Sequence, residues 1–209
     1  MKKLLILTAV VLSFVGCSEE DEQTYPSMIT EMAVMSSDAS GTIRSFTTDA
    51  GNSYSLTTPY TGVTENALWR FLVGYVAESD GRATVYSLEG VVVPRDSTSR
   101  AGVAIDPVGF VSAWPGGGFV NMHLQPKTKG GVHTWGYVRD SLTTNTAGGS
   151  THFITLFHRQ GNDPMAYSAE AYVSIPVDSL SEAPGAADSI CLTVKSFSGT
   201  IRKSFAFSR

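Results

Sequence analysis

Residues 165–177 read MAYSAEAYVSIPV and show the clearest alternation of apolar and other side chains in the chain. A period of two residues places successive side chains on opposite faces of a β-strand. The apolar set in this stretch consists of Met165, Tyr167, Ala169, Ala171, Val173 and Ile175. The pattern therefore predicts one strand over Met165–Val177, with this set on a single face of a sheet.

Further strand signals recur between turns rich in glycine, and no stretch shows the sustained 3.6-residue period of an amphipathic helix. The strands predicted before residue 94 are Met28–Met35, Ile43–Thr47, Tyr54–Thr57, Trp69–Glu78 and Ala83–Val93. Those predicted after residue 105 are Val108–Trp114, Phe119–Gln125, Val132–Asp140, Phe153–Arg159, Met165–Val177, Ser189–Phe197 and Lys203–Ser208. Five short strands can close into a small barrel, and seven antiparallel strands can pack as a two-layer sandwich.

The segment Pro94–Arg100 separates the two groups of strands. It is polar, begins with proline and lacks alternation, which makes it the best candidate for a linker. A long loop within a single domain is the alternative. With the boundary at its end, the sequence predicts a barrel domain over residues 27–100 and a sandwich domain over residues 101–209.

The N-terminus has the order of a secretory signal peptide. Lys2-Lys3 supply positive charge, and Leu4–Val15 is a nearly apolar run of 12 residues. Crossing a bilayer core of roughly 30 Å takes about 20 apolar residues, so this run suits a signal peptide, which we predict over residues 1–16. The sequence Phe14-Val15-Gly16-Cys17 resembles the lipobox of bacterial lipoproteins, which implies cleavage before Cys17 and attachment of lipid to its thiol.

An acidic segment follows, made up of Ser18, Glu19, Glu20, Asp21 and Glu22. We interpret residues 17–26 as a solvated tether between the membrane-bound lipid and the folded body. A serine followed by acidic residues after the lipid-bearing cysteine also resembles the surface-export signal of Bacteroidota lipoproteins. The resemblance implies an outer-membrane location with the protein facing the cell exterior, and a disordered tether without an export role is the alternative.

Charge and cysteine content argue against several classes of protein. The chain has 209 residues and a formal net charge of −4, and loss of residues 1–16 with their two lysines would leave 193 residues and a charge of −6. Phosphate binding uses clusters of Lys and Arg, so the acidic balance argues against a nucleic-acid partner. The cysteines are Cys17 and Cys191. If the first carries lipid, neither a disulfide framework nor a cysteine-based metal site is expected.

Three segments in the second half resemble the NigD-like lipoprotein family. They are Asp106–Met122 with its Trp-Pro-Gly-Gly-Gly turn, the Phe157–Pro164 turn that ends in Asp-Pro, and Val173–Leu180. The order of signal peptide, acidic tether, small β domain and larger β domain is also similar. The resemblance implies an all-β fold, with a small N-terminal OB-like barrel followed by a C-terminal antiparallel β-sandwich. It implies no reaction, and the family name comes from a bacteriocin-associated gene cluster.

The side chains that could carry catalysis form no recognisable motif. His123 and His133 lie on successive predicted strands and could be near neighbours, yet a metal site would need further ligands. Asp140, Asp163 and Glu170 would support a hydrolase only if folding brought them into one cleft. The sequence has no G-x-S-x-G motif and no phosphate-binding glycine pattern. We therefore predict no catalytic residues, no metal site and no cofactor, and expect that the protein is not an enzyme.

The tryptophans are the best candidates for ligand binding. Trp69, Trp114 and Trp135 could stack on sugar rings or anchor a protein interface, although core packing is the more common role. Trp114 precedes a turn, where side chains are accessible. We therefore predict a non-catalytic outer-membrane lipoprotein that acts as a binding or accessory module for a protein or glycan partner. A glycan-binding accessory protein, or a bacteriocin-related immunity or secretion accessory, is the alternative.

Overall fold

Five strands close into a barrel in the computed structural model, which describes residues 27–97, 105–180 and 185–207. The strands are β1 (Ile29–Ser37), β2 (Thr42–Thr48), β3 (Ser53–Thr61), β4 (Leu68–Ala77) and β5 (Arg82–Gly90). Their order around the barrel is β1-β2-β3-β5-β4. A five-stranded barrel of this kind is OB-like.

The barrel core follows from the period of two in its strands. Met35 of β1 and Val73 and Tyr75 of β4 are fully buried. Tyr75 packs edge-on against Phe46, with ring centroids 5.1 Å apart, and burial raises the pKa of its phenol. The side chains at the intervening positions of β1 and β4 point out of the barrel. Arg70 of β4 belongs to this outward set and is nevertheless buried, because the second module covers that side of the barrel.

Within the residues that the structure describes, the second module has ten strands arranged in three sheets. The strands are β6 (Arg95–Asp96), β7 (Gly109–Gly116), β8 (Phe119–Gln125), β9 (Lys127–Thr128), β10 (Thr134–Thr144), β11 (Ser150–Arg159), β12 (Tyr167–Ser168), β13 (Ala171–Pro176), β14 (Ser189–Ser196) and β15 (Gly199–Ala206). The sheet orders are β15-β14-β11-β10-β6, β13-β8-β7 and β12-β9. Most pairs are antiparallel, whereas β11–β14 and β10–β6 are parallel. One core joins the two larger sheets and includes Val120, Met122, Ile154 and Leu192.

The register of the three-stranded sheet determines which side chains face the barrel. Trp114 of β7 pairs with Asn121 of β8, which pairs with Ser174 of β13. Directly paired residues lie on the same face of a sheet, and successive residues alternate between faces. This row therefore lies on one face of the sheet, and the core residues Val120 and Met122 lie on the other face. Asn121 and Ser174 still have 0% exposure, because the barrel packs over this part of the outer face.

The predicted all-β fold, an OB-like barrel followed by a β-sandwich, is confirmed. The stretch Met165–Val177 differs from its prediction because it forms two strands. Tyr167–Ser168 pair with β9, whereas Ala171–Pro176 pair with β8. Alternation indicates the face on which a residue lies but not its partner strand, so the sequence shows no break. Val173 and Ile175 occupy the core face as predicted, while Met165 and Tyr167 are exposed.

The polar segment Pro94–Arg100, predicted to be a linker, begins inside the second module. Val92 already bridges to Val173, and Arg95–Asp96 pair with Gly136–Tyr137 of β10. The predicted boundary at residue 100 falls among residues 98–104, which lie outside the described residues.

Several predictions on the N-terminal part of the chain also fall outside the described residues. They are the signal peptide over residues 1–16, the lipid site Cys17 and the tether over residues 17–26 with its acidic residues 18–22. Within the described ranges, no helix has the length and apolar character needed to cross a membrane.

Candidate functional site

A buried arginine joins the two modules. The Arg70 side chain has 0% exposure, and its Nη2 donates to the two carboxylate oxygens of Asp49 at 2.8 and 2.6 Å and to Asn121 Oδ1 at 2.9 Å. Its guanidinium carbon lies 3.8 Å from the ring centroid of Phe119. Asn121 Nδ2 donates to Asp49 at 2.8 Å, and Ser174 Oγ donates to Asn121 Oδ1 at 2.7 Å. We call this network the Arg70 clamp, because it holds the barrel against the outer face of the three-stranded sheet.

The turn between β7 and β8 lies directly against the clamp. A Cβ atom on Gly117 would come within 2.2 Å of Asp49 Oδ1, and one on Gly116 within 2.9 Å of Asp49 Oδ2. Gly117 also has a φ of +59°, which glycine adopts without steric cost. The Trp-Pro-Gly-Gly-Gly turn is therefore part of the contact between the modules.

Trp114 lines a groove where the barrel meets the three-stranded sheet. The groove has a volume of about 240 Å³, and its other lining residues are Thr30, Glu31, Met32, Asp49, Ala50 and Leu72. The clamp holds the Asp49 carboxylate in place, while its side chain remains 17% exposed. A ligand in this groove, which we call the Trp114 groove, would meet a half-buried indole, apolar walls and a fixed carboxylate.

A pair of stacked rings continues the outer face of the sheet beyond Trp114. His123 of β8 stacks on Tyr172 of β13, with ring centroids 4.7 Å apart. The Glu170 carboxylate hydrogen-bonds with His123 Nε2 and accepts from Gln125 Nε2 at 2.9 Å, and these bonds lower the pKa of Glu170. The His123 and Glu170 side chains are 23% and 50% exposed. This cluster is therefore a preformed polar surface at the sheet face.

Asp163 ties together two loops at one end of the sandwich. Its carboxylate accepts hydrogen bonds from Thr128 Oγ1, from the Lys129 amide at 3.1 Å and from His133 Nε2 at 3.0 Å. The Thr128 hydroxyl holds the pKa of Asp163 below its usual range, with further help from His133. Gly131 passes so close that an added Cβ would lie 2.6 Å from Asp163 Cγ. We call this arrangement the Asp163 hub.

The hydrogen bonds of the hub continue inward to a buried histidine. His133 Nε2 donates to Asp163, and His133 Nδ1 shares a hydrogen bond with His158 Nε2 at 2.8 Å. His158 Nδ1 is buried. Burial, with a smaller effect of His133, lowers the pKa of His158 to about 4. The hydrogen bonds of the hub therefore run from the Asp163 carboxylate through His133 to the buried His158.

Large apolar side chains are exposed on the loops that the hub fixes. Val132 is 94% exposed, Met165 66% and Tyr167 53%. The loops are also joined by the pairing of Tyr167 with Thr128, and the Tyr167 hydroxyl lies 3.9 Å from the Cβ position of Gly130. We call Val132, Met165 and Tyr167 the loop face. Apolar side chains held outward on ordered loops are typical of interaction surfaces.

The structure places the three predicted ligand-binding tryptophans in different surroundings. Trp114 lines the groove between the modules. Trp69 packs against the barrel core, and Trp135 packs against the sandwich core. Trp135 also stacks on His158, with ring centroids 4.3 Å apart. Ligand binding by these residues stays a prediction, and the geometry favours Trp114 because the other two contribute to cores.

The three candidate carboxylates lie at three separate places. Asp163 forms the hub and Glu170 pairs with His123, whereas Asp140 accepts a hydrogen bond from Thr155 Oγ1 at 2.6 Å in the five-stranded sheet. His123 and His133 have different partners, so the turn between their strands does not bring them into one site. Over the described ranges, no three His, Cys, Asp or Glu side chains are grouped to hold a metal ion.

Sequence reasoning missed both the clamp and the hub. A signal for the clamp exists, since Arg70 is the one charged residue in the apolar strand LWRFLVGYVA of β4. A signal for the hub exists in the Phe157–Pro164 turn, which carries the resemblance to the family. The residues Asn162-Asp163-Pro164 are typical of a local turn. That pattern does not indicate that the Asp163 carboxylate contacts Thr128 and His133.

These features define a class of all-β protein in which an OB-like barrel is clamped to a β-sandwich through buried polar side chains. Residues 91–208 match the family model described as the NigD-like C-terminal beta sandwich domain, and the chain belongs to the NigD-like family. The match begins where the chain starts to pair with strands of the second module. Comparison with curated proteins finds no match.

Several solved structures have the same fold along most of the chain. A NigD-like immunity protein from Bacteroides caccae is 27% identical, with a TM-score of 0.67 over 88% of this chain and 99% of that one. A candidate toxin-related protein from Parabacteroides distasonis is 14% identical, with a TM-score of 0.67 over 87% and 94%. A candidate lipoprotein from Bacteroides fragilis is 14% identical, with a TM-score of 0.60 over 88% and 99%. The two structures at 14% identity are similar in fold.

Proposed function

We propose that this protein is a non-catalytic outer-membrane lipoprotein that faces the cell exterior and binds a protein partner through the loop face. Lipid on Cys17 would hold it to the membrane, and Ser18 with the acidic residues 19–22 would direct its export. The observation that carries the binding proposal is the exposure of Val132, Met165 and Tyr167 on loops fixed by a buried hub.

The physical argument for binding rests on preorganisation. Exposed apolar side chains on flexible loops would lose conformational entropy on binding, and each immobilised side chain costs about 0.5–1.5 kcal/mol. The hub already fixes both loops through Asp163, whose side chain is 5% exposed. Tyrosine at such a surface supplies a large contact area together with a polar hydroxyl. The loop face therefore suits a protein partner with an apolar patch of its own.

The separation of the carboxylates supports a role other than catalysis. Asp163, Glu170 and Asp140 each hydrogen-bond within a different cluster. A hydrolase of the glycosidase type needs two carboxylates facing one another across a substrate, and these three are not arranged in that way.

Site-specific photo-crosslinking in cells that express the full chain tests the partner proposal. A photoreactive phenylalanine in place of Tyr167 should cross-link to a discrete protein. The matched control replaces Tyr86, a 63% exposed tyrosine on the barrel strand β5, and should give no such product. Met165→Asp should abolish the cross-link at position 167 while leaving the melting temperature unchanged. Equal cross-linking at both positions, or none at either, would count against the loop face.

Metabolic labelling and protease treatment test the anchoring. Radioactive palmitate should label the wild-type chain and should not label Cys17→Ser. Protease added to intact cells should degrade the wild-type chain but spare a variant in which residues 19–22 are replaced by serine and glycine. A labelled Cys17→Ser chain would remove the lipid site, and protease resistance of the wild type would remove the outward orientation.

Bacteriocin immunity is a second candidate function. It is favoured by the 27% identity to a NigD-like immunity protein over nearly the whole of both chains. Deletion of the gene should then make the cells sensitive to bacteriocins secreted by related strains, and expression of the full chain should restore resistance. Unchanged sensitivity to a panel of such bacteriocins would exclude this role.

A further inference from the structure

We propose that the Trp114 groove is a saccharide-binding site that takes one sugar residue of a larger glycan. One face of the sugar ring would lie on the Trp114 indole, and one of its hydroxyl groups would donate a hydrogen bond to Oδ1 of the Asp49 carboxylate. This site is separate from the loop face, and its existence does not depend on the partner proposed above.

The first step of the argument is the placement of Trp114. It lies at the edge of the three-stranded sheet, in the row with Asn121 and Ser174 that faces the barrel. Those two residues are fully buried by the barrel, whereas Trp114 is partly exposed and lines the groove. An aromatic face at the rim of a buried row is accessible to a ring that approaches from solvent. Trp69 and Trp135 are also half-buried, but they pack against the cores of the two modules.

The second step concerns the Asp49 carboxylate. Arg70 and Asn121 together occupy two acceptor positions on Oδ2 and one on Oδ1. A carboxylate has about four lone-pair sites, so Oδ1 keeps one for a ligand hydroxyl. The clamp fixes the direction of that acceptor before any ligand arrives. The charge of Arg70 also offsets that of Asp49, which favours a neutral hydroxyl donor over a free cation.

The third step is the size and lining of the groove. A volume of about 240 Å³ is below the roughly 300–1,000 Å³ of sites for drug-sized ligands. It therefore suits a single sugar ring, with the rest of the glycan outside. Met32, Ala50 and Leu72 supply apolar walls for the C–H faces of the ring, and Thr30 adds a polar group at the lining.

A glycan array probed with the full chain in detergent tests this site. The array should carry neutral hexose and N-acetylhexosamine oligosaccharides, and the strongest ligand should then be titrated by calorimetry. Trp114→Ala should weaken binding at least tenfold. Ala50→Arg, a change at an exposed residue of the groove lining, should do the same by filling the groove. Trp135→Phe is the tryptophan control and should keep wild-type affinity.

The outcomes separate the saccharide from other occupants. Loss of binding in both groove variants, with unchanged melting temperatures, supports the proposal. It is overturned if no glycan on the array binds, or if the binding is insensitive to Ala50→Arg. A tetralysine peptide serves as the alternative probe, and Trp114-dependent binding of that peptide in place of any glycan would assign the groove to a cationic side chain and also overturn the proposal.

Discussion

Replacing Arg70 with alanine should destabilise the folded protein by about 3–5 kcal/mol, the usual cost of breaking a buried ion pair by removing one partner. The side chain has 0% exposure and contacts Asp49, Asn121 and the Phe119 ring. Without Arg70, Asn121 Nδ2 is the one donor to Asp49 that remains among these partners. The substitution also opens space between the modules. Natural domains are stable by about 5–15 kcal/mol, so the change is a large fraction of the total.

Urea denaturation followed by circular dichroism measures this loss directly, and Arg44→Ala is the matched control. Arg44 also pairs with an aspartate, Asp38, but the two side chains are 66% and 42% exposed. Exposed pairs contribute about 0–1 kcal/mol, so the same substitution there should change the free energy of unfolding by less than about 1 kcal/mol. In thermal scans Arg70→Ala should lower the Tm by about 6–20 °C, at about 2–4 °C per kcal/mol for a chain of this size.

A double-mutant cycle identifies the partner through which Arg70 acts. Arg70→Ala and Asp49→Ala should together cost less than the sum of the two single changes, with a coupling of at least about 1 kcal/mol. If Arg70→Ala costs no more than Arg44→Ala, or if the two changes are additive, the clamp is not the interaction that holds the modules together.

Two other predictions follow from the turn and from the buried histidine. Gly117→Ala should destabilise the protein by about 1–3 kcal/mol more than Gly118→Ala in urea denaturation, because both have positive φ but the Cβ of the first would strike Asp49 while that of the second meets nothing within 4 Å. Equal losses would show that backbone strain alone accounts for the glycines. Folding keeps the pKa of His158 at about 4, below its usual 6.5, so the unfolded chain binds more protons between these values and stability should fall by up to about 3 kcal/mol as pH drops from 6.5 to 4. His158→Gln should flatten this part of the stability profile, and an unchanged slope would mean that other groups titrate there.

The sequence predicts the strands more completely than the contacts between them. In β14 the alternating residues Ile190, Leu192 and Val194 form the buried face of the strand. The sequence predicts this face because every second side chain of a strand points in the same direction. The same reasoning cannot find β6, since Arg95–Asp96 are exposed and form a strand only through pairing with β10. A short edge strand of this kind forms only where a neighbouring strand pairs with it.

The candidate sites are harder to predict from the sequence than the strands are. Asp49, Arg70 and Asn121 come from a turn and two strands in different modules, and no local pattern connects them. Trp114 is different, because Pro115 and the glycines after it indicate an accessible turn, and the structure does place it at a groove. An exposed aromatic at a turn can be recognised from its neighbours, whereas a buried polar network can be recognised only after the chain has folded.

The strand partners of residues 91–97 determine the order in which the two modules can fold. All five barrel strands find their partners within residues 29–90, so the barrel can close as soon as these residues have been synthesised. Val92 and β6 pair with Val173 and with Gly136–Tyr137, which are synthesised later. During that interval the chain presents an unpaired strand beside a finished barrel, and unpaired strands readily join other chains. Synthesis should therefore be the stage at which this protein is most vulnerable to aggregation, and Pro94, which lies between Val92 and β6, would limit the pairing of this segment with other chains.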